Sequence, residues 1–121
     1  MKRTVIVGAT TNTSRYAYMA AERLTDNNHE IVPIGIKKGE VFGAAILPIR
    51  EFPELGKVDT ITLYIGPQHQ SDYIGYLLGL NPQRIIFNPG TENESFMNKA
   101  REQGIEVVEG CTLVMLRVGT Y

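Results

Sequence analysis

The chain has 121 residues, of which 43% are hydrophobic and 21% charged, with a formal net charge of −1. That length suffices for one domain with its own core, and the balance is that of a soluble globular protein. Near-neutral charge excludes broad nucleic-acid binding, which needs a strongly basic face, and no apolar run nears the roughly 18 residues of a membrane span.

Met1-Lys2-Arg3 leads at once into the apolar run Thr4–Val7. That run reads as a first strand, not as the core of a signal peptide, so a cytoplasmic protein is expected. The turn Gly8-Ala9-Thr10-Thr11-Asn12-Thr13-Ser14 follows. Arg15–Asn27 then places Ala17, Ala20, Ala21 and Leu24 on one helical face. Asn27-Asn28 can supply the left-handed cap often given to glycine. Glu30–Ile34 reads as the second strand. Lys37–Val58 is broken by Gly39, Gly43, Pro48, Pro53 and Gly56. It reads as a surface loop with a short edge strand near Ala45–Pro48 and one helical turn at Glu51–Leu55.

Thr60–Ile65 is the next long strand. Gln68–Gly79, after Pro67, reads as a helix carrying Tyr73, Ile74, Leu77 and Leu78. Arg84–Asn88 is again a strand. In Glu92–Gln103, Thr91 and Glu94 read as a T-x-x-E capping box, Gly104 as the stop, and Phe96, Met97 and Ala100 as the apolar stripe. Ile105–Glu109 is the last strand, and the tail Cys111–Val118 reads as helix in preference to strand. Near-continuous apolar strands alternating with amphipathic helices predict a three-layer α/β domain over residues 1–121. Its parallel sheet is covered on both faces through right-handed crossovers.

Ligands of such sheets bind outside the carboxyl ends of the strands. After the first strand, a single glycine, a hydroxyl-rich turn and Arg15 open a helix, and a helix N-terminus attracts anions. Aligned with the dinucleotide fingerprint G-x-G-x-x-G, the second and third glycines are Thr10 and Thr13. The second strand ends in Lys37 and Lys38, where an NAD site usually carries an acidic residue. Basic residues there suit a further phosphate on the ribose, as in NADP or the 3′-phospho-ADP of coenzyme A. Candidate catalysts are few. His69 opens the helix near the crevice and Cys111 opens the tail, and neither has an evident orienting partner. His29 lies at the opposite end of the sheet and reads as structural. One cysteine and two dispersed histidines offer neither an internal disulfide nor a metal site.

Val7-Gly8-Ala9-Thr10, Ser14-Arg15-Tyr16-Ala17, Leu24 and Glu30-Ile31-Val32-Pro33 together resemble the small CoA-binding proteins of bacteria. These are stand-alone versions of the Rossmann-like domain at the N-terminus of the succinyl-CoA synthetase alpha subunit. The resemblance continues through Gly39-Glu40-Val41-Phe42-Gly43, Val58-Asp59, Asn88-Pro89-Gly90-Thr91-Glu92-Asn93 and Gly104-Ile105 to Cys111-Thr112. It implies a doubly wound sheet of about six strands in the order 3-2-1-4-5-6 that binds coenzyme A or an acyl-CoA. The diphosphate would rest on Gly8, Ala9, Thr10, Asn12, Thr13, Ser14 and Arg15. Lys37 and Lys38 would hold phosphate and adenosine. Ile65, Gly66 and Pro67, with Asn88, Pro89 and Gly90, would line the remaining crevice. The ligase's own chemistry resides in a later domain, so no catalysis is expected. The small molecule is the expected partner, with a homo-oligomer or partner enzyme left open. Two alternatives stand beside this reading: an NADP-dependent or thiol-using enzyme employing Cys111 or His69, and an interaction module with a degenerate pocket.

Overall fold

The computed structural model describes residues 1–121. The chain runs β1 (Thr4–Val7), α1 (Tyr16–Asp26), β2 (Ile31–Gly35), β3 (Glu40–Val41), β4 (Ala44–Ala45) and β5 (Leu47–Pro48). It continues through β6 (Thr60–Leu63), α2 (Ile74–Gly79), β7 (Arg84–Phe87), α3 (Glu94–Glu102), β8 (Glu106–Glu109) and α4 (Thr112–Val118). Six strands pair in the order β5-β2-β1-β6-β7-β8, every neighbour parallel. Numbered among themselves they read 3-2-1-4-5-6, the expected Rossmann-like doubly wound sheet.

Register follows from side-chain alternation. Val5 lies beside Val32 and Ile61, and Val7 beside Ile34 and Leu63. These residues share one face, buried under Leu77 of α2, Phe96 and Met97 of α3, and Ile49 and Leu55 of the long loop. Ile6 points the other way, into Ala17, Ala21 and Leu24 of α1, with Leu116 of α4 packed beside them. Full burial of each large aliphatic side chain stabilises by about 1.5–3 kcal/mol, so both faces must stay covered. α1 ends as its asparagines foretell: Asn28 takes φ +65°, and the His29 N–H donates to the Leu24 carbonyl at 3.0 Å.

Four local expectations change. The long loop contains an antiparallel hairpin, β3 with β4, turned by Phe42 and Gly43 at φ +48° and +86°. Its helical turn lies at Ile49–Glu51, earlier than expected, because Phe52 turns left-handed at φ +47° just before Pro53. α2 starts at Ile74 after a 3₁₀ turn at Pro67–His69, because Gln70 turns its side chain inward and is fully buried. At α3 the N-cap is Asn93, whose Oδ1 accepts the Phe96 N–H at 3.2 Å. Thr91 instead donates back to the Asn88 carbonyl at 2.8 Å, and Glu92 accepts the Gly90 N–H at 2.9 Å. The capping box is thus replaced by a turn of its own.

At the amino ends of the strands, His29 Nδ1 accepts the Lys2 backbone N–H at 2.9 Å and its ring packs on Tyr121, centroids 4.9 Å apart. Burial first, then the positive charges of the amino terminus, Lys2 and Arg84, push its pKa below 6.5, against a smaller pull upward from Asp59. The unfolded chain therefore binds this proton more readily than the folded one. The stability from the neutral ring is complete above the unfolded value and is lost as pH falls through the lowered folded value. Urea midpoints measured at about pH 7.5 and about pH 5.5 should show the wild type losing stability on acidification. His29→Gln, which keeps an acceptor but has no titrating ring, should lose less.

Candidate functional site

Gly8 turns the chain out of β1 with φ +95°. A Cβ on it would lie 2.9 Å from Ile65 Cγ2 and 3.2 Å from the Tyr64 carbonyl, so only glycine fits between β1 and the end of β6. On the other side, the Gly8 and Ala9 N–H groups both donate to the Ile34 carbonyl at 2.9 and 3.1 Å. The turn then builds itself. Thr10 Oγ1 accepts the Asn12 N–H at 3.1 Å, and Asn12 Oδ1 accepts both the Ser14 N–H at 3.0 Å and the Ser14 hydroxyl at 2.7 Å. These groups are spent on shaping the turn, which leaves the Thr10 hydroxyl proton and the Asn12 amide N–H to donate outward. Arg15 occupies the N-cap of α1 without a side-chain cap bond. The N–H groups of Tyr16 and Ala17 find no acceptor within the chain. The first turn of α1 is therefore electropositive and open.

Above this turn lies a cavity of about 640 Å³ at the carboxyl ends of β1, β2, β5 and β6. Its size falls within the roughly 300–1,000 Å³ of small-molecule sites. Of the residues expected from sequence, Gly8, Ala9, Thr10, Asn12, Arg15, Lys37 and Ile65 line it. Thr13 and Ser14 are exposed in the turn outside the lining, and Lys38 is exposed on the loop beyond Lys37. Gly66 and Pro67 lie just behind Ile65 and do not line it. Asn88, Pro89 and Gly90 stand one strand further on, past the end of β7.

Asn88 has a different task. Its Nδ2 donates to Thr62 Oγ1 at 2.7 Å and to the Leu63 carbonyl at 2.8 Å, while its Oδ1 accepts the Thr112 N–H at 2.9 Å. Every one of these groups is buried, so the amide ties β6, β7 and α4 together.

The cavity wall also contains residues that the sequence reading did not assign, chiefly Arg50 and Ile49 on one side and Gln68, Ser71, Asp72 and Tyr73 on the other. Arg50 was discoverable: it stands two residues past the edge strand Leu47–Pro48, at a carboxyl end that belongs to the crevice. Tyr64 lines the cavity as well. Burial pushes its phenol up to about 12, outweighing the opposite pull of the nearby Thr112 and Thr62 hydroxyls, so it remains neutral. His69 lies in the lining; half-buried Cys111 stands apart at the N-cap of α4. No group of three or more His, Cys, Asp or Glu side chains could hold a metal ion. No helix is long and apolar enough to cross a membrane.

An uncapped helix end, a glycine-bounded turn and unpaired cations thus surround one cavity, a chemistry suited to anionic groups. The CoA binding domain family matches residues 2–117. The chain belongs to that family. Among solved structures, a crystal structure of an uncharacterized protein is 56% identical, with a TM-score of 0.96 over 100% of this chain and 98% of the other. Cell-free ID.343 from Thermus thermophilus shares the fold at 20% identity, with a TM-score of 0.86 over 99% of this chain and 90% of its own. A hypothetical protein from Pyrococcus horikoshii OT3 does so at 23% identity, TM-score 0.85, over 97% and 82%. No curated protein matches the sequence.

The Asn88 network makes a quantitative prediction. Asn88→Ala leaves the Thr112 N–H and the Leu63 carbonyl without that partner in a dry setting. It should lower the free energy of unfolding by about 2–3 kcal/mol, read from urea denaturation.

Proposed function

We propose that the cavity binds coenzyme A or an acyl-CoA and that the chain acts by binding, with no catalysis of its own. The observation that carries this reading is the open first turn of α1 beside Arg15, in a chain of the CoA binding domain family. The diphosphate rests against the N–H groups of Tyr16 and Ala17, with Arg15, the Thr10 hydroxyl and the Asn12 amide completing its shell. Gly8 and Ala9 let the backbone come close. Thr13 and Ser14 keep the turn's shape and its rim. Lys37, and Lys38 on the loop beyond it, face the ribose and its phosphate over the end of β2. Ile65 borders the path of the pantetheine arm, with Gly66 and Pro67 supporting it from behind. Asn88, Pro89 and Gly90 act indirectly, by fixing the loop that follows β7.

A binding role is supported by what the cavity offers a reaction. His69, Ser71 and Asp72 share its wall, yet no hydrogen bond links any two of them. Cys111 lies outside, so a thiol-using mechanism would need a residue the cavity does not present. The reading extends to a cytoplasmic, single-domain protein that delivers or withholds its ligand, alone, as a homo-oligomer or beside a partner enzyme.

Mass spectrometry of the purified protein should find co-purified CoA, and titration should show CoA binding more tightly than NADP or NAD. Tighter binding of NADP overturns the reading. Arg15→Ala should weaken CoA by on the order of 1–3 kcal/mol, the scale of one charge-assisted contact, with the fold unchanged by circular dichroism.

A further inference from the structure

The cavity carries more positive charge than a diphosphate at the β1–α1 turn would use. Arg15, Lys37 and Arg50 line it, and Asp72 is its one carboxylate. The chain's ion pair, Arg3 with Glu30, lies elsewhere, so the protein itself neutralises none of the three cations. Their placement is ordered. Arg15 ends the turn that follows β1, Lys37 stands two residues past β2, and Arg50 stands two residues past β5. These strands are neighbours in the order β5-β2-β1. Adjacent strands lie about 4.8 Å apart, so the ends of β1 and β5 are separated by about 10 Å. A diphosphate seated against the N-terminus of α1 occupies the Arg15 end of that row, and Lys37 and Arg50 stand on the β2 and β5 side of the same cavity, away from it.

Arg50 is also held in place. Ile49 beside it is 2% exposed, and the left-handed Phe52 closes the turn by donating its N–H to the Ile49 carbonyl at 3.1 Å. The guanidinium therefore stands on a fixed base at the cavity wall. A planar, permanently charged fork at that point suits a phosphate monoester.

We propose that Arg50, together with Lys37, forms a second anion subsite that selects ligands bearing a phosphate on the ribose in addition to the diphosphate. The proposal rests on the CoA reading and deepens it. It makes the ribose phosphate the feature by which the cavity separates its ligand from the unphosphorylated analogue, and it assigns that discrimination to Arg50.

The test is calorimetric titration of wild type and Arg50→Gln with CoA and with dephospho-CoA. Arg50 is exposed and its side chain makes no bond within the chain, so the variant keeps the fold. The wild type should prefer CoA by about tenfold or more, the scale of one charge-assisted phosphate contact. Arg50→Gln should weaken CoA by about tenfold and leave dephospho-CoA within about twofold. Equal weakening of both ligands, or of neither, overturns the proposal. If neither ligand binds the wild type, the CoA reading fails separately, and the subsite is read with adenosine 3′,5′-bisphosphate against AMP, which lacks only the 3′-phosphate. A preference for the bisphosphate that Arg50→Gln abolishes supports the subsite; no preference overturns it.

Discussion

Between β1 and α1 the backbone must pass through a gap too narrow for any side chain. Gly8 sits at φ +95° with Ile65 and the Tyr64 carbonyl against the place a Cβ would fill. Gly35, at the end of β2, presses from the other side, since its own missing Cβ would lie 3.0 Å from the Ala9 carbonyl oxygen. Two strands thus squeeze the same short passage. Everything the cavity uses follows from that approach. The Ile34 carbonyl captures two successive N–H groups, the chain lifts over the sheet edge, and α1 enters with its N-terminus facing the crevice. A larger residue at either glycine would push the turn out of this passage.

The opposite wall depends on buried polar side chains. Gln70, fully buried, donates to the Ile65 carbonyl at 2.9 Å and the Thr91 carbonyl at 2.8 Å, and accepts from the Asn93 amide at 3.0 Å. It therefore ties the cavity-lining loop after β6 to the N-cap of α3. Asn88 does the same one layer deeper, toward Thr62 and α4. Buried amides of this kind are costly when half-satisfied and rigidifying when complete. The consequence is a wall of fixed shape, and a preformed wall is one that lowers the ordering cost of any binding.

The sheet was legible because its signals are redundant. Val5-Ile6-Val7 and Ile85-Ile86-Phe87 are apolar on both faces, Ile61-Thr62-Leu63 is apolar on one, and the Asn28 and Gly104 caps mark where two of the covering helices stop. The glycine and the cation of the first turn were legible for the same reason, since they sit at a strand end with a known direction. What escaped was whatever depends on a side chain's choice of partner. Asn88 reads as a crevice residue by position, yet its amide faces inward because Thr62 and Thr112 offer it a better set of bonds. Thr91 and Glu94 spell a capping box, but Asn93 is two residues closer to the helix and takes the cap. The hairpin after β2 has two-residue strands and a phenylalanine at positive φ, and no periodicity reveals either.

That irregular stretch also explains why there is a cavity at all. In a regular doubly wound fold, the connection from β5 to β6 would lay a helix over the face of β2 and β5. Here a 3₁₀ turn and an extended segment take its place, anchored by Ile49, Leu55 and Val58 in the core and by the Arg3 guanidinium on the Leu55 and Lys57 carbonyls. Holding Phe52 left-handed costs on the order of 1–3 kcal/mol. Burial of Ile49 and Leu55 and the packing of the Phe52 ring on Tyr73 and Tyr76, at 6.4 and 5.3 Å, offset it. A 3₁₀ turn is shorter than a helix, so the wall stops at Arg50 and leaves open the space across to Tyr73. The segment that broke the α/β rhythm in the sequence is thus the one that borders the cavity, and it places a cation at the cavity's edge.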